Sequence, residues 1–264
     1  MNGLIVTTSY NPSETIVGRS RQWAAELGAQ WVPRRRLSIR QLRERYATAG
    51  ILLQTERQLQ YYPEGEDFLY FHPSMAHVRI KRLERGEPDP MLELSGARPG
   101  DAILDCTAGL ASDALVFSYA AGASGKVTAL ESERVLALLL REGLQAYPTD
   151  LAPLEEAMRR IEIRHAEHLS YLRSQPDDSC DIVYFDPMFR LPLEDSSAIS
   201  PLRQAANPHP LSPEAVKEAV RVARRRVVLK DHRDSPEFER LGFYRPKRTR
   251  TKITYGVIDC GTSS

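Results

Sequence analysis

The stretch CDIVYFDPMFR, Cys180 to Arg190, carries an apolar, β-branched run straight into an acid, a proline and an aromatic residue, where a turn would ordinarily bring glycine or asparagine. Pro187 has no N–H and forces the preceding residue into an extended conformation, so Asp186 is held at a strand tip instead of entering a helix. Phe189 follows at a range suited to stacking on a planar ring. A carboxylate, the Pro187 carbonyl and an aromatic face can together recognise an amino group on a flat heterocycle.

Other segments offer complementary groups. LDCTAGLASDA sets Asp105, Thr107, Ala108, Gly109 and Asp113 in a turn between a strand and a helix, where small residues let a ligand approach the backbone and helix-start amides can meet its polar groups. The same turn also reads as a plain connection. It is neither a dinucleotide G-x-G-x-x-G nor a P-loop, since one glycine is present and no G-K-[ST] follows. In TALESE, Glu131 is a two-oxygen acceptor suited to the hydroxyl pair of a ribose. Alternatively, Ser132 caps the next helix and Glu131 merely favours the positive end of its dipole. RHAEHLSYL offers Glu167 and His168 to an adenine edge, with Leu169 to pack on its face, while His168 also reads as a structural histidine.

These residues need elements to position them. After Pro99, strand signals (DAILDCT, KVTALES, RIEIRHA, CDIVYFD, RRVVLKD) alternate with helical ones (SDALVFSYAAG, ERVLALLLREGLQAY, LSYLRSQ, SPEAVKEAVRVA). Such alternation implies crossovers and a parallel sheet covered on both faces, with ligands beyond the carboxyl ends of its strands. The tail YRPKRTRTKITYGVIDC shows two extended runs, read as an antiparallel pair closing one edge. The first seventy or so residues read as a smaller α/β unit: strand LIVTTS, two serine-capped, glycine-ended helices, then strands GILLQT and DFLYFH. Residues 73–98 read as a helical link, so the division expected is 1–72, 73–98 and 99–264.

With 264 residues and 42% hydrophobic composition, the chain can bury a sizeable core. Lys and Arg total 36 against 35 for Asp and Glu, so overall charge selects no partner. Its distribution is uneven: Arg34, Arg35, Arg36, Arg40, Arg43 and Arg45 cluster near the start, and Arg245, Lys247, Arg248, Arg250 and Lys252 near the end. Clusters of this kind are solvated faces or polyanion-binding surfaces. Cys106, Cys180 and Cys260 are odd in number and without a C-x-x-C pair, which argues for reduced thiols and against a disulfide framework or a zinc site. No run suggests a signal peptide or a membrane span, so a cytoplasmic location is expected.

In their order, LDCTAGL, LES, HAEHL and DPMF resemble the class I S-adenosylmethionine-dependent methyltransferases. More narrowly, MAHVRIKRL, TAGL-x-x-DA and DPMF resemble the bacterial small-subunit ribosomal RNA guanine-N2 methyltransferases, from about Phe71 to about Lys230. The resemblance implies a Rossmann-like α/β fold with a mostly parallel twisted sheet and an antiparallel edge strand. It implies S-adenosyl-L-methionine as cofactor and ribosomal RNA or the small ribosomal subunit as partner, with no DNA and no membrane. Carried over, cofactor contacts fall on Ser112 and Asp113, Glu131 and Ser132, Glu167 and His168, and Asp186, beside the loop Asp105, Thr107, Ala108 and Gly109; the catalytic group is Asp186, Pro187 and Phe189. No metal is implied. This chain has GLASD where the family usually has a second glycine and an arginine, no proline after DPMF, an inserted PTDLAPLEEAMRR and a different N-terminal unit. Against this stand a methyltransferase of small molecules or proteins with the same cofactor, and a catalytically silent RNA-binding or assembly factor.

Overall fold

The computed structural model describes residues 3–63, 67–187, 210–245 and 251–261. The N-terminal signals become β1 (Leu4–Thr8), α1 (Glu14–Leu27), β2 (Gln30–Trp31), α2 (Ile39–Tyr46), β3 (Gly50–Gln54) and β4 (Leu59–Tyr62), with strand order β2-β1-β3-β4. α1 begins where Ser13 Oγ accepts the Ile16 N–H and stops where Gly28 turns left-handed at φ 63°. α2 opens on a reciprocal Ser38–Gln41 capping box. It ends on Ala47, not on a glycine, because Gly50 opens β3.

DFLYFH, expected as a strand, contributes one antiparallel bridge between Leu69 and Tyr61. The chain reverses earlier: Thr55 Oγ1 accepts the N–H groups of Arg57 and Gln58, so LQYY becomes the partner of β3. The division of the chain also differs from the linear one. Residues 133–147, containing α6 (Arg134–Ala146), belong to the same unit as residues 3–72. The reason is packing, since Leu136, Leu138 and Leu139 share a buried cluster with Val6, Trp23 and Leu52.

The second unit includes residues 73–132, 148–187 and the described residues from 210 onward. The helical segment after residue 73 is part of it, as α3 (Ser74–Glu84) and α4 (Pro90–Ser95). There follow β5 (Ala102–Asp105), α5 (Ser112–Ala121), β6 (Lys126–Glu131), α7 (Ala152–Arg160), β7 (Ile161–His165), α8 (His168–Ser174), β8 (Cys180–Phe185), α9 (Pro213–Val222), β9 (Ala223–His232), α10 (Glu237–Arg240) and β10 (Ile253–Asp259). The sheet runs β10-β9-β8-β5-β6-β7, parallel from β9 to β7 with β10 antiparallel at one edge. Among the described residues of the tail, the second run joins β9, and Tyr244 adds one bridge to Val257.

Alternation along the parallel strands sorts side chains to two faces. Val183, Phe185, Val227 and Leu229 face a cluster completed by Leu172 of α8 and Ala215, Val216 and Ala219 of α9. Tyr184 faces the other way, its ring 5.1 Å from Phe117 of α5 in an edge-on contact. α5 is apolar nearly all round and buried, as a helix must be when a sheet covers one side and other helices the rest.

Candidate functional site

The loop after β5 is laced across the strand tips. Cys106 N–H donates to the Tyr184 carbonyl and Ala108 N–H to the Leu130 carbonyl, each at 2.9 Å. Gly109 and Ala111 are left-handed, at φ 54° and 60°, and Ala111 stands where the resembled family usually has glycine. A non-glycine residue in that region costs roughly 1 to 2 kcal/mol, so the turn is kept despite the alanine. Helix geometry leaves the first amides of α5, from Ser112 onward, without intrahelical acceptors.

Strand register brings the acids to one edge. Asp105 aligns with Ala129 on one side and Tyr184 on the other, while Glu131 aligns with His165. Asp186, one residue past β8, has its N–H bonded to Thr107 Oγ1 at 2.6 Å, and Thr107 N–H donates to Asp105 Oδ1 at 3.0 Å. Burial pushes the fully enclosed Asp105 carboxyl up to about 8, helped by the charges of Asp113 and Asp186 and opposed by the Thr107 N–H.

Because Phe185 aligns with Leu229, the next residues, Asp186 and Lys230, lie side by side facing α5. Lys230 Nζ is 2.7 Å from Asp186 Oδ2 and 2.8 Å from Asp113 Oδ2. Asp113 also accepts from the Tyr184 hydroxyl at 2.7 Å and from Arg79 of α3, whose guanidinium grips Asp89 with two hydrogen bonds, at 2.8 and 2.9 Å. Burial alone would raise the Asp113 carboxyl; the Lys230 and Arg79 charges overcome it and hold that acid well below its ordinary range. Burial pushes Asp186 up to about 6, against the pull of Lys230 and with the push of Asp113. Its side chain keeps 25% of its surface open, enough for a ligand to reach it.

This geometry revises the expected contact set. Asp113, expected at the cofactor, has both oxygens engaged by Arg79, Tyr184 and Lys230, so it supports Asp186 from beneath. Glu167 caps α8, its two oxygens accepting the Leu169 and Ser170 N–H groups at 2.9 and 2.8 Å. His168 stands edge-on to Phe185, and burial lowers its pKa, so its ring is neutral near pH 7. Ser132 does not cap α6; its hydroxyl turns to Glu131 Oε1 at 3.4 Å. Asp105, Thr107, Ala108, Gly109, Ser112, Glu131 and Asp186 do share one edge of the sheet. Phe189 lies outside the described residues. Arg79 and Lys230, missed in the sequence, are the cations that tie the site together. A cavity of about 110 Å³ bounded by Ala102, Lys126 and Cys180 lies toward the opposite, amino-terminal edge of the strands.

A family model described as "Putative SAM-dependent methyltransferase" matches residues 40–247. The chain belongs to that family. S-adenosylmethionine is accordingly the cofactor of this methyltransferase. The methyltransferase is 41% identical over 254 residues to "Uncharacterized protein YpiP" of Bacillus subtilis (strain 168), covering 96% of this chain and 98% of that one. It is 31% identical over 159 residues to "Ribosomal RNA small subunit methyltransferase J" of Hydrogenovibrio crunogenus, covering 58% of this chain and 55% of that relative, so it spans about half the relative's length. A SAM-dependent methyltransferase from Neisseria gonorrhoeae has the same fold, with a TM-score of 0.64 over 98% of this chain and 97% of that one at 15% identity.

The strand tips fit the cofactor chemically. Glu131 offers two acceptor oxygens for a diol, and the loop of small residues leaves backbone accessible. Among the described residues, an added Cβ at Gly109 would find only the Thr107 carbonyl oxygen within 4 Å, at 3.9 Å. Asp89, Arg79, Asp113, Lys230 and Asp186 sum to one surplus negative charge when ionised, complementary to a sulfonium cation.

Proposed function

We propose that this methyltransferase methylates the exocyclic N2 amine of a guanine in small-subunit ribosomal RNA. The observation that carries the reading is Asp186, fixed at the tip of β8 by Thr107 and Lys230, partly open and followed by Pro187. The ribosomal RNA relatives, at 31% to 33% identity, support the choice of substrate.

S-adenosylmethionine supplies, when bound, a methyl group on a sulfonium that is already a good leaving group. A guanine amine is a poor nucleophile because its lone pair is delocalised into the ring. Asp186 and the Pro187 carbonyl accept its two N–H hydrogens, which favours a pyramidal nitrogen with its lone pair free. A carboxylate has about four acceptor positions, so the Lys230 contact leaves capacity for the amine. Alignment of this kind contributes roughly 7 to 11 kcal/mol. The amine sheds one proton on methylation, and Asp186 is the acceptor in position to take it and pass it to water. Phe189, two residues after Pro187 in the sequence, is the ring we propose for stacking on the base, worth on the order of 1 to 3 kcal/mol. A base inside a helix is first extruded, at a cost of a few kcal/mol.

The test offers radiolabelled S-adenosylmethionine and the full chain to small ribosomal subunits, deproteinised ribosomal RNA, DNA and total protein. Label in RNA alone is expected. Label confined to protein or to DNA would refute the reading.

A further inference from the structure

Between Tyr62 and His72, the N-terminal unit presents a row of rings that the methyl-transfer site does not use. Leu69 and Phe71 point inward and are buried, at 3% and 5% exposure, so Phe68, Tyr70 and His72 alternate outward. Phe71 is seated against Gly143 of α6, where no Cβ would fit. The outward rings form a chain of tilted and edge-on contacts: centroids lie 5.7 Å apart at 41° from Phe68 to Tyr70, 6.1 Å at 78° from Tyr70 to His72 and 5.4 Å at 82° from His72 to Tyr147. Phe68 and Tyr70 remain more than a third exposed, at 37% and 36%. Their adjacency, more than the exposure of either, makes them a contiguous apolar patch.

At the Phe68 end, 5.2 Å away, stands Tyr62, with two arginines acting on it. Arg43 Nη2 donates to the Tyr62 carbonyl at 3.1 Å, and the Arg34 charge acts on the Tyr62 hydroxyl. We infer that Phe68, Tyr70, His72 and Tyr147 form a stacking platform for unpaired bases of single-stranded RNA, with Arg34 and Arg43 beside its phosphates. Every base has a π face, so a row of rings binds single strands with little sequence preference, and adjacent cations follow the backbone. Asp67 adjoins Phe68 and is exposed, and Glu64 and Glu66 precede it in the sequence, which works against a phosphate at that point. The inference rests on the RNA reading above and gives the N-terminal unit a task within it.

The experiment titrates a labelled, unstructured ribo-oligonucleotide with the full chain by fluorescence anisotropy at several salt concentrations. Phe68→Ala and Tyr70→Ala should each weaken binding about fivefold or more, while Tyr70→Phe and Tyr70→Trp, which keep a π face, stay within about twofold. Asp67→Asn should tighten binding, the opposite of what a cationic protein partner would show. Thermal melts confirm that each variant is folded. Alanine variants that bind the oligonucleotide as the parent does would overturn the platform, as would equal affinity for a perfect RNA duplex. Methylation of ribosomal RNA by the parent, scored in parallel, separates the two claims. RNA methylated with ring-independent binding defeats the platform alone; ring-dependent binding without RNA methylation defeats the proposed reaction and leaves the platform standing.

Discussion

Lys230 Nζ lies between Asp186 Oδ2 and Asp113 Oδ2, at 2.7 and 2.8 Å, so one ammonium ties the acid at the tip of β8 to the acid in the first turn of α5. The parallel register fixes this relationship, because Phe185 beside Leu229 places the next residue of each strand side by side. Removing Lys230 would leave two carboxylates facing one another with Arg79 on the far side of Asp113.

Lys230→Met should therefore destabilise the fold, toward the lower end of the roughly 3 to 5 kcal/mol seen when one partner of a buried pair is deleted. The Lys230 side chain is 19% exposed, so solvent softens the loss. Urea unfolding measures it. Stability equal to the parent would mean the bridge contributes nothing net.

The same bridge sets a pH dependence. Asp186 must be ionised to accept from the amine, and its carboxyl is pushed up to about 6, so kcat/KM should rise as pH increases through about 6. Lys230 lowers that value; Lys230→Met should move the acid limb to higher pH, whereas Lys230→Arg keeps a cation and should stay near the parental limb. Superimposable profiles for parent and methionine variant would show that Asp186 ionisation does not control the rate.

Asp105 gives a stability test with a definite sign. Its folded carboxyl is pushed up to about 8 from an ordinary 3.8, so between those values the folded chain holds a proton that the unfolded chain releases. Stability from this group is complete below about pH 4 and is lost as pH rises toward about 8. Asp105→Asn removes the titration and keeps an acceptor for the Thr107 N–H. The stability of the variant relative to the parent should climb across that window, and a flat difference would mean that Asp105 is charged in the fold.

Glu131→Ala should weaken S-adenosylmethionine binding through loss of a charge-assisted pair of hydrogen bonds, at most roughly 1.5 to 3 kcal/mol for each. Calorimetry reads the change directly. Undiminished affinity would remove Glu131 from the cofactor site.

The parallel fold was legible because strands buried on both faces read as near-continuous apolar runs, and their acidic ends stood out against them. Asp105, Glu131 and Asp186 were visible for that reason. Lys230 and Arg79 were not, since a cation in VVLKD or HVRIK looks like any solvated one until strand register and helix packing supply its partners. Glu167 was ambiguous because an acid ahead of a helix serves a ligand or a cap equally well, and only the Leu169 and Ser170 amides show the cap. The apolar stripe of α6 revealed a buried face without revealing which sheet would cover it.

The most direct test of the central claim is nucleoside mass spectrometry of small-subunit ribosomal RNA incubated with S-adenosylmethionine and either the parent or Asp186→Asn. The parent should yield N2-methylguanosine, and the variant should yield it roughly 100 to 10,000 times more slowly, the range expected for loss of a positioned proton acceptor. A methyl group found on a ring carbon or a ribose, or N2-methylguanosine formed by Asp186→Asn at the parental rate, would contradict the account.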